Sequence, residues 1–149
     1  MTRAVFDANV IAAAIPANPG TLARLIDRWL AGDFQLVVSN YILDEVVIAW
    51  SKPYWRTRMT SERVDTGLTL IRGHAEFTSI TVSIEGIASH FQDDLIIATA
   101  ISAEAEYLVS GDRELQALRS YSQVRIVSPR EFLAILDEQP ASPTPTPQP

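Results

Sequence analysis

The sequence has no cysteine and only two histidines, His74 and His90, among its 149 residues. That excludes a disulfide framework, a thiolate zinc site and a cysteine nucleophile, so any metal ion would have to be held by oxygen. Lysine is nearly absent as well, with Lys52 alone beside eleven arginines. Long apolar runs are missing: no window approaches the ~18 consecutive apolar residues that a membrane span needs. The opening Met1-Thr2-Arg3, followed by Ala4 to Phe6, is too short for a signal peptide. A chain that touches no membrane and stays in the cytoplasm is therefore expected. No glycine-rich phosphate loop occurs, which argues against a nucleoside-triphosphate hydrolase. Acids outnumber bases 18 to 12, for a net charge of −6, and so the chain lacks the basic footprint of a protein that wraps long duplex nucleic acid.

What is present suits one core. The chain is 47% hydrophobic and 20% charged, and its length is that of a single domain. The last eleven residues, QPASPTPTPQP, hold five of the nine prolines, which bars both helix and ladder; residues 139–149 are expected to be a disordered, proline-rich tail after a domain spanning 1–138. Within that domain short β-rich runs alternate with longer helical ones, the pattern of βαβ units around a parallel sheet. Strands are expected at Arg3–Phe6, Gln35–Ser39, Tyr107–Ser110 and Val124–Val127, with a weaker one within Phe77–Ile84. Helical spacing or caps mark 21–31, 40–50, 61–76, 93–104, 113–118 and 129–136, the last opened by Ser128-Pro129-Arg130-Glu131. The fold class is α/β, with helices on both faces of a mainly parallel sheet.

In such sheets ligands bind beyond the carboxyl ends of the strands, and the acids gather there. The first strand ends in Asp7-Ala8-Asn9, the second in Ser39-Asn40 and the third in Ser110-Gly111-Asp112, while Asp93-Asp94 precedes the apolar run LIIATAISA. Each acid has a local alternative: an Asx turn for Asp7 or Asn9, a helix cap for Asp93, Asp94 or Asp112. Together they are harder to explain so. Two like charges ~4 Å apart repel by about 4 kcal/mol at an effective dielectric of ~20, so a carboxylate cluster must protonate, separate or bind a cation. On a helix from Asn40 to Trp50, Ile42, Leu43, Val46, Val47, Ala49 and Trp50 form one apolar face, with Asp44 opposite it and Glu45 on its rim. Glu45 can thus reach a site near the helix start.

Carboxylate oxygens with water left on the ion suit Mg²⁺ or Mn²⁺. Such ions usually serve phosphate chemistry, by acidifying water and offsetting charge on the leaving oxygen. Asn9, Ser39, Ser110 and Asp94 are supporting polar groups, and none of the serines has a paired base that would make it a nucleophile. Trp50, Lys52, Tyr54, Trp55, Arg56 and Arg58 interleave aromatic and basic residues as single-stranded nucleic acid grooves do, which makes Lys52, Arg56 and Arg58 candidate nucleic-acid or partner contacts. The alternative is that Trp50 and Trp55 pack in a helical hairpin while the bases are solvated. His74 reads as an ordinary helix residue and His90 as a surface or capping one.

Taken in order, VFDANV, VSNYILDEV, DDLIIATA, LVSGDREL and IVSPREFL make the chain resemble the PIN-domain ribonucleases, in particular the VapC-like toxins of type II toxin–antitoxin pairs, over nearly all of residues 3 to 136. The resemblance implies a three-layer α/β/α sandwich and makes Asp7, Glu45, Asp93 and Asp112 the four metal-binding, catalytic acids. Asp93 rather than Asp94 matches, because it precedes Ala100 by the seven positions the motif requires. Asn9 and Ser110 fall on its supporting polar positions. His90 stands where this branch often has a further acid, a departure that bears on a second metal ion and not on the first. Also implied are Mg²⁺- or Mn²⁺-dependent cleavage of single-stranded RNA, a homodimer, and a cognate antitoxin in the active-site groove. The alternative is a PIN-fold module that binds RNA or protein without turnover. A haloacid-dehalogenase phosphatase would want Asp-x-Asp where Asn9 stands, and a receiver domain would want a lysine at a late strand end.

Overall fold

The computed structural model describes residues 1–139. The tail expected from Gln139 onward thus lies, but for that residue, outside the described residues. Six strands form one sheet: β1 (Arg3–Phe6), β2 (Gln35–Val38), β3 (Glu76–Phe77), β4 (Tyr107–Val109), β5 (Ser120–Tyr121) and β6 (Val124–Val127). Their order is β3-β2-β1-β4-β6-β5, with every pairing parallel except β5 with β6. Among the described residues eight helices connect or follow them: α1 (Ala8–Ala14), α2 (Thr21–Leu30), α3 (Asn40–Ser51), α4 (Pro53–Arg56), α5 (Ser61–His74), α6 (Phe91–Ser102), α7 (Arg113–Ala117) and α8 (Pro129–Glu138). Among the described residues no helix is long and apolar enough to cross a membrane.

Side chains alternate across a strand, and β1 shows how the two faces are covered. Phe6 stacks on Phe34 at 5.6 Å between ring centroids and meets Phe132 of α8 edge-on at 5.8 Å. α2 lies against α8 on this side, with Arg28 bonded to Asp137 and to the Leu136 carbonyl. On the other face Arg3 Nε donates to the Ala103 carbonyl, at 3.0 Å, just past the end of α6. The sheet is therefore the middle layer of an α/β/α sandwich. Burying Phe6, Phe34 and Phe132 almost completely contributes roughly 1.5–3 kcal/mol each.

Where sequence and structure differ, the reasons are local. α1 escapes a reading by periodicity because Ala8, Val10, Ile11, Ala12 and Ala14 are all buried, leaving no polar stripe to mark the period. The strand expected within 77–84 is confined to Glu76 and Phe77, because its partner β2 ends at Val38. Beyond it the chain is held by other bonds, such as Thr81 N–H to Ser102 Oγ at 2.9 Å. β5 forms a hairpin with β6 through Ser122, whose φ of +56° is unusual for a serine; no Gly or Asn signals that turn. α6 begins at Phe91, so Asp93 and Asp94 occupy its first turn and neither caps it. His90 takes the capping position without a side-chain bond. Val47 is exposed rather than part of the apolar face of α3.

Trp50 is buried, and its indole Nε1 donates to the Ala12 carbonyl at 3.0 Å, tying α3 to α1. α5 packs on the same ring through Gly67. A Cβ at that position would lie 2.8 Å from Trp50 Cη2 and 3.2 Å from Ile15 Cγ2, so the close approach requires glycine.

Candidate active site

β1 is the topological switch point, with β2 on one side and β4 on the other, and open α/β sheets place their ligand crevice there. Asp7 follows β1 directly. Its N–H donates to the Val109 carbonyl of β4 at 2.8 Å, and its carboxylate caps α1 by accepting from the Asn9 N–H at 3.4 Å. Ser110, the residue after β4, is fully buried and donates from Oγ to Asp7 Oδ2 at 2.9 Å. The same oxygen accepts from the Asp112 N–H at 3.1 Å. One hydroxyl thus fixes Asp7 and the turn that carries Asp112.

A cleft of about 600 Å³ opens at this point, and Asp7, Glu45, Asp93 and Asp112 all line it, with Asn9 and Lys52. For Asp7 and Asp112 the local alternatives hold at the same time. Asp112 caps α7, its Oδ1 accepting from the Glu114 N–H at 2.9 Å, and still faces the cleft. Glu45 enters from the half-buried rim of α3, whereas its neighbour Asp44 is exposed and outside.

The other candidates fall elsewhere. Asp94 is 4% exposed and turned from the cleft: its oxygens accept the N–H groups of Gly86, Ile87 and Ala88 at 3.0, 3.2 and 2.7 Å. It anchors the loop before α6. Ser39 is also buried behind the cleft, capping α3 through the Ile42 N–H at 3.3 Å and meeting Thr99 of α6 at 3.0 Å. Because Thr99 Oγ1 donates to the Leu95 carbonyl, Ser39 is the donor between them, and this pair joins the helices that carry Glu45 and Asp93. Of the basic candidates only Lys52 lines the cleft. Arg58 instead lies over the Tyr54 ring at 3.9 Å and donates to the Tyr54 carbonyl. Arg56 is exposed and makes no ion pair among the described residues. Trp55 packs partly on the core, as the hairpin alternative expects, while Tyr54 is 60% exposed.

The electrostatics are those of crowded anions. Burial pushes the Asp7 carboxyl above its ordinary range and Asp112 adds to this, against the opposing bonds from Ser110 and the Asn9 and Ala8 backbone. Burial likewise raises Asp93, followed by the charges of Asp7 and Asp112. Tyr41, which the sequence reading missed, also lines the cleft. Its phenol is shifted upward by burial and then by Glu45, Asp93 and Asp7. Its hydroxyl is buried with no hydrogen-bond partner among the described residues, which is costly for a polar group. Its spacing of one helical turn before Glu45 was the available signal.

An all-oxygen donor set, two carboxyls that resist ionisation and an orphaned hydroxyl fit a hard divalent cation with part of its water shell. The fit is in donor type and charge, since among the described residues no three acid or histidine side chains stand close enough to hold an ion as a ready-made set.

Comparisons with known proteins agree with this architecture. A sequence model of the family described as PIN domain matches residues 3–114. The structure is similar to a chain in the crystal structure of VapBC2 from Rickettsia felis bound to a DNA fragment from their promoter, with a TM-score of 0.60 and 16% identity, covering 85% of this chain and 98% of that one. No curated protein matches the sequence.

Proposed function

This chain belongs to the PIN-domain family, and from that premise we propose that it is a Mg²⁺- or Mn²⁺-dependent endoribonuclease that hydrolyses phosphodiester bonds of single-stranded RNA. The observation that carries the proposal is the meeting of Asp7, Glu45, Asp93 and Asp112, drawn from four separate segments, around one cleft at the switch point.

These four acids are the groups that would hold the ion. A divalent ion bound among them supplies charge neutralisation at the phosphodiester and makes water easier to deprotonate. The chain's own residues do the rest. Ser110 Oγ and the Asn9 N–H keep the Asp7 oxygens oriented. Ser39 and Thr99 tie α3 to α6, so that Glu45 and Asp93 are both kept on the wall of the cleft. Tyr41 lines the same cleft, and its buried hydroxyl has no acceptor among the described residues. Lys52 at the rim offsets phosphate charge.

The likeness to VapBC2 supports a narrower reading, in which this nuclease is the toxin of a toxin–antitoxin pair, acts in the cytoplasm as a homodimer, and is restrained by a small antitoxin protein. Arrest of growth on expression, relieved by a co-expressed partner, is the expected behaviour; a housekeeping nuclease shows neither effect. The chemical proposal is tested by incubating labelled single-stranded RNA with the full chain in Mg²⁺, Mn²⁺ or EDTA. Cleavage with either ion and none in EDTA is expected. Ion binding without cleavage of any RNA would favour a binding module with the same fold.

A further inference from the structure

A second hollow, of about 800 Å³, lies along the β5–β6 edge of the sheet, and Arg113, Arg119 and Arg125 line it together with Gln116, Ser120 and Glu131. We infer that this hollow binds the phosphodiester backbone of the RNA strand that flanks the scissile bond. The inference rests on the nuclease reading above and adds to it a path for the substrate.

The first support is charge. Acids outnumber bases 18 to 12 in the chain, yet none of these three arginines makes an ion pair among the described residues. The acid in the hollow, Glu131, is turned to its own helix, where its Oε1 accepts the Ser128 N–H at 3.4 Å in a capping box. Arg125 rests its guanidinium 5.5 Å from the centroid of Tyr107, a stacking that occupies the face of the group and leaves its N–H edge free. Arg119 is launched from a fixed turn with φ of +61°: its N–H donates to the Gln116 carbonyl and its carbonyl accepts from Ile126 N–H at 2.8 Å. Three unpaired guanidinium groups in one concavity are a site for an extended anion, since each fork can take two phosphate oxygens.

The second support is continuity. Asp112 and Pro129 line the acid cleft, while Arg113, next to Asp112, and Val127, two residues before Pro129, line the basic hollow. Gln116, on the wall of the hollow, donates to the Ser110 carbonyl at 2.7 Å, beside the group that fixes Asp7. A strand leaving the cleft past Asp112 therefore runs onto the arginines. The described lining contains no aromatic side chain for base stacking, so the hollow would bind backbone without reading sequence. This is how a protein of net negative charge could hold RNA.

The test measures binding of a short labelled single-stranded RNA of mixed sequence to the full chain carrying Asp7→Asn, by fluorescence anisotropy over a range of salt. Replacing Arg113, Arg119 and Arg125 together by Gln should raise Kd at least about tenfold and flatten the dependence of log K on log salt by roughly 2, at about 0.7 per phosphate released. The triple Arg→Lys chain, which keeps the charge, should recover the slope. An unchanged Kd and slope in the Gln chain would overturn the inference, as would arginine-dependent capture of a polyglutamate peptide with RNA binding unaffected. Cleavage separates the two levels: metal-dependent cleavage lost in Asp7→Asn but with KM unchanged in the triple Gln chain leaves the nuclease standing and removes the hollow. RNA that is neither bound nor cut removes both.

Discussion

Ser110 Oγ donates a hydrogen bond of 2.9 Å to Asp7 Oδ2 across 103 positions of sequence. It is the bond that sets the orientation of the most buried acid in the cleft, and it opposes the upward shift that burial imposes on that acid. Replacing Ser110 by Ala should lower cleavage by roughly 10–100-fold, the cost typical of losing a group that orients a metal ligand, and should weaken Mn²⁺ binding. Ser110→Thr keeps the hydroxyl and should restore both. Equal losses in the Ala and Thr variants would assign Ser110 a packing role only.

The raised carboxyls of Asp7 and Asp93 make a signed prediction about stability. A carboxyl held above its unfolded value binds its proton more tightly in the folded state, so its ionisation costs stability as pH rises through the folded value. In EDTA the Tm should therefore rise as pH is lowered from neutrality toward the ordinary carboxylate range. Asp7→Asn should have the higher Tm at neutral pH and a smaller pH dependence. Scanning calorimetry of both proteins over that window checks the sign; a wild-type Tm that falls steadily with pH, with no difference from Asp7→Asn, would refute it.

The same repulsion should be relieved by a cation. Adding Mg²⁺ or Mn²⁺ to the metal-free chain should raise its Tm by mass action, with about 2.7 kcal/mol of stabilisation at a hundredfold excess over Kd. The shift should be absent in an Asp7→Asn, Asp93→Asn double variant.

Asp94 gives a contrasting expectation. It accepts three backbone N–H groups from residues 86–88, and Asn offers only one acceptor oxygen. Asp94→Asn should destabilise the chain by about 1–3 kcal/mol and speed hydrogen exchange at 86–88. Metal affinity per folded molecule should change much less than in Asp93→Asn.

Gly67 tests the packing of α5 on α3. Alanine is the better helix former by up to ~1 kcal/mol, yet its methyl would meet the Trp50 ring at 2.8 Å. Gly67→Ala should lower stability by about 1–3 kcal/mol, as overpacking does. Denaturant unfolding followed by Trp fluorescence reports it.

Much of the fold is legible in the sequence because β1, β2, β4 and β6 are short β-rich runs that end at polar residues. The caps are legible for the same local reason, as in the Ser128–Glu131 box. The gathering of four acids could be read because a parallel sheet brings strand ends together, and Glu45 because helical rotation puts it on a rim. What was hidden depends on partners distant in sequence. α1 is buried except at Asn9 and, in part, Ala13, β3 is cut short by the length of β2, and Asp94 differs from Asp93 by which way one helical turn points it. The basic hollow was invisible because Arg113, Arg119 and Arg125 stand on three different segments, α7, the turn after it and β6, and share no single periodic face until the β5–β6 hairpin folds back beside α7.

The central claim is that four acids act as one metal-binding catalytic set, and the most direct measurement is the RNA cleavage rate in Mn²⁺ of Asp7→Asn, Glu45→Gln, Asp93→Asn and Asp112→Asn beside Asp44→Asn. Asp44 is the control because it adjoins Glu45 on α3 but is exposed and outside the cleft. The account predicts that the four cleft variants each lose at least about 100-fold, at or beyond the upper end of what a merely supporting group costs, while Asp44→Asn cleaves as the parent does. Parental rates in the cleft variants, or an equal loss in Asp44→Asn, would contradict it.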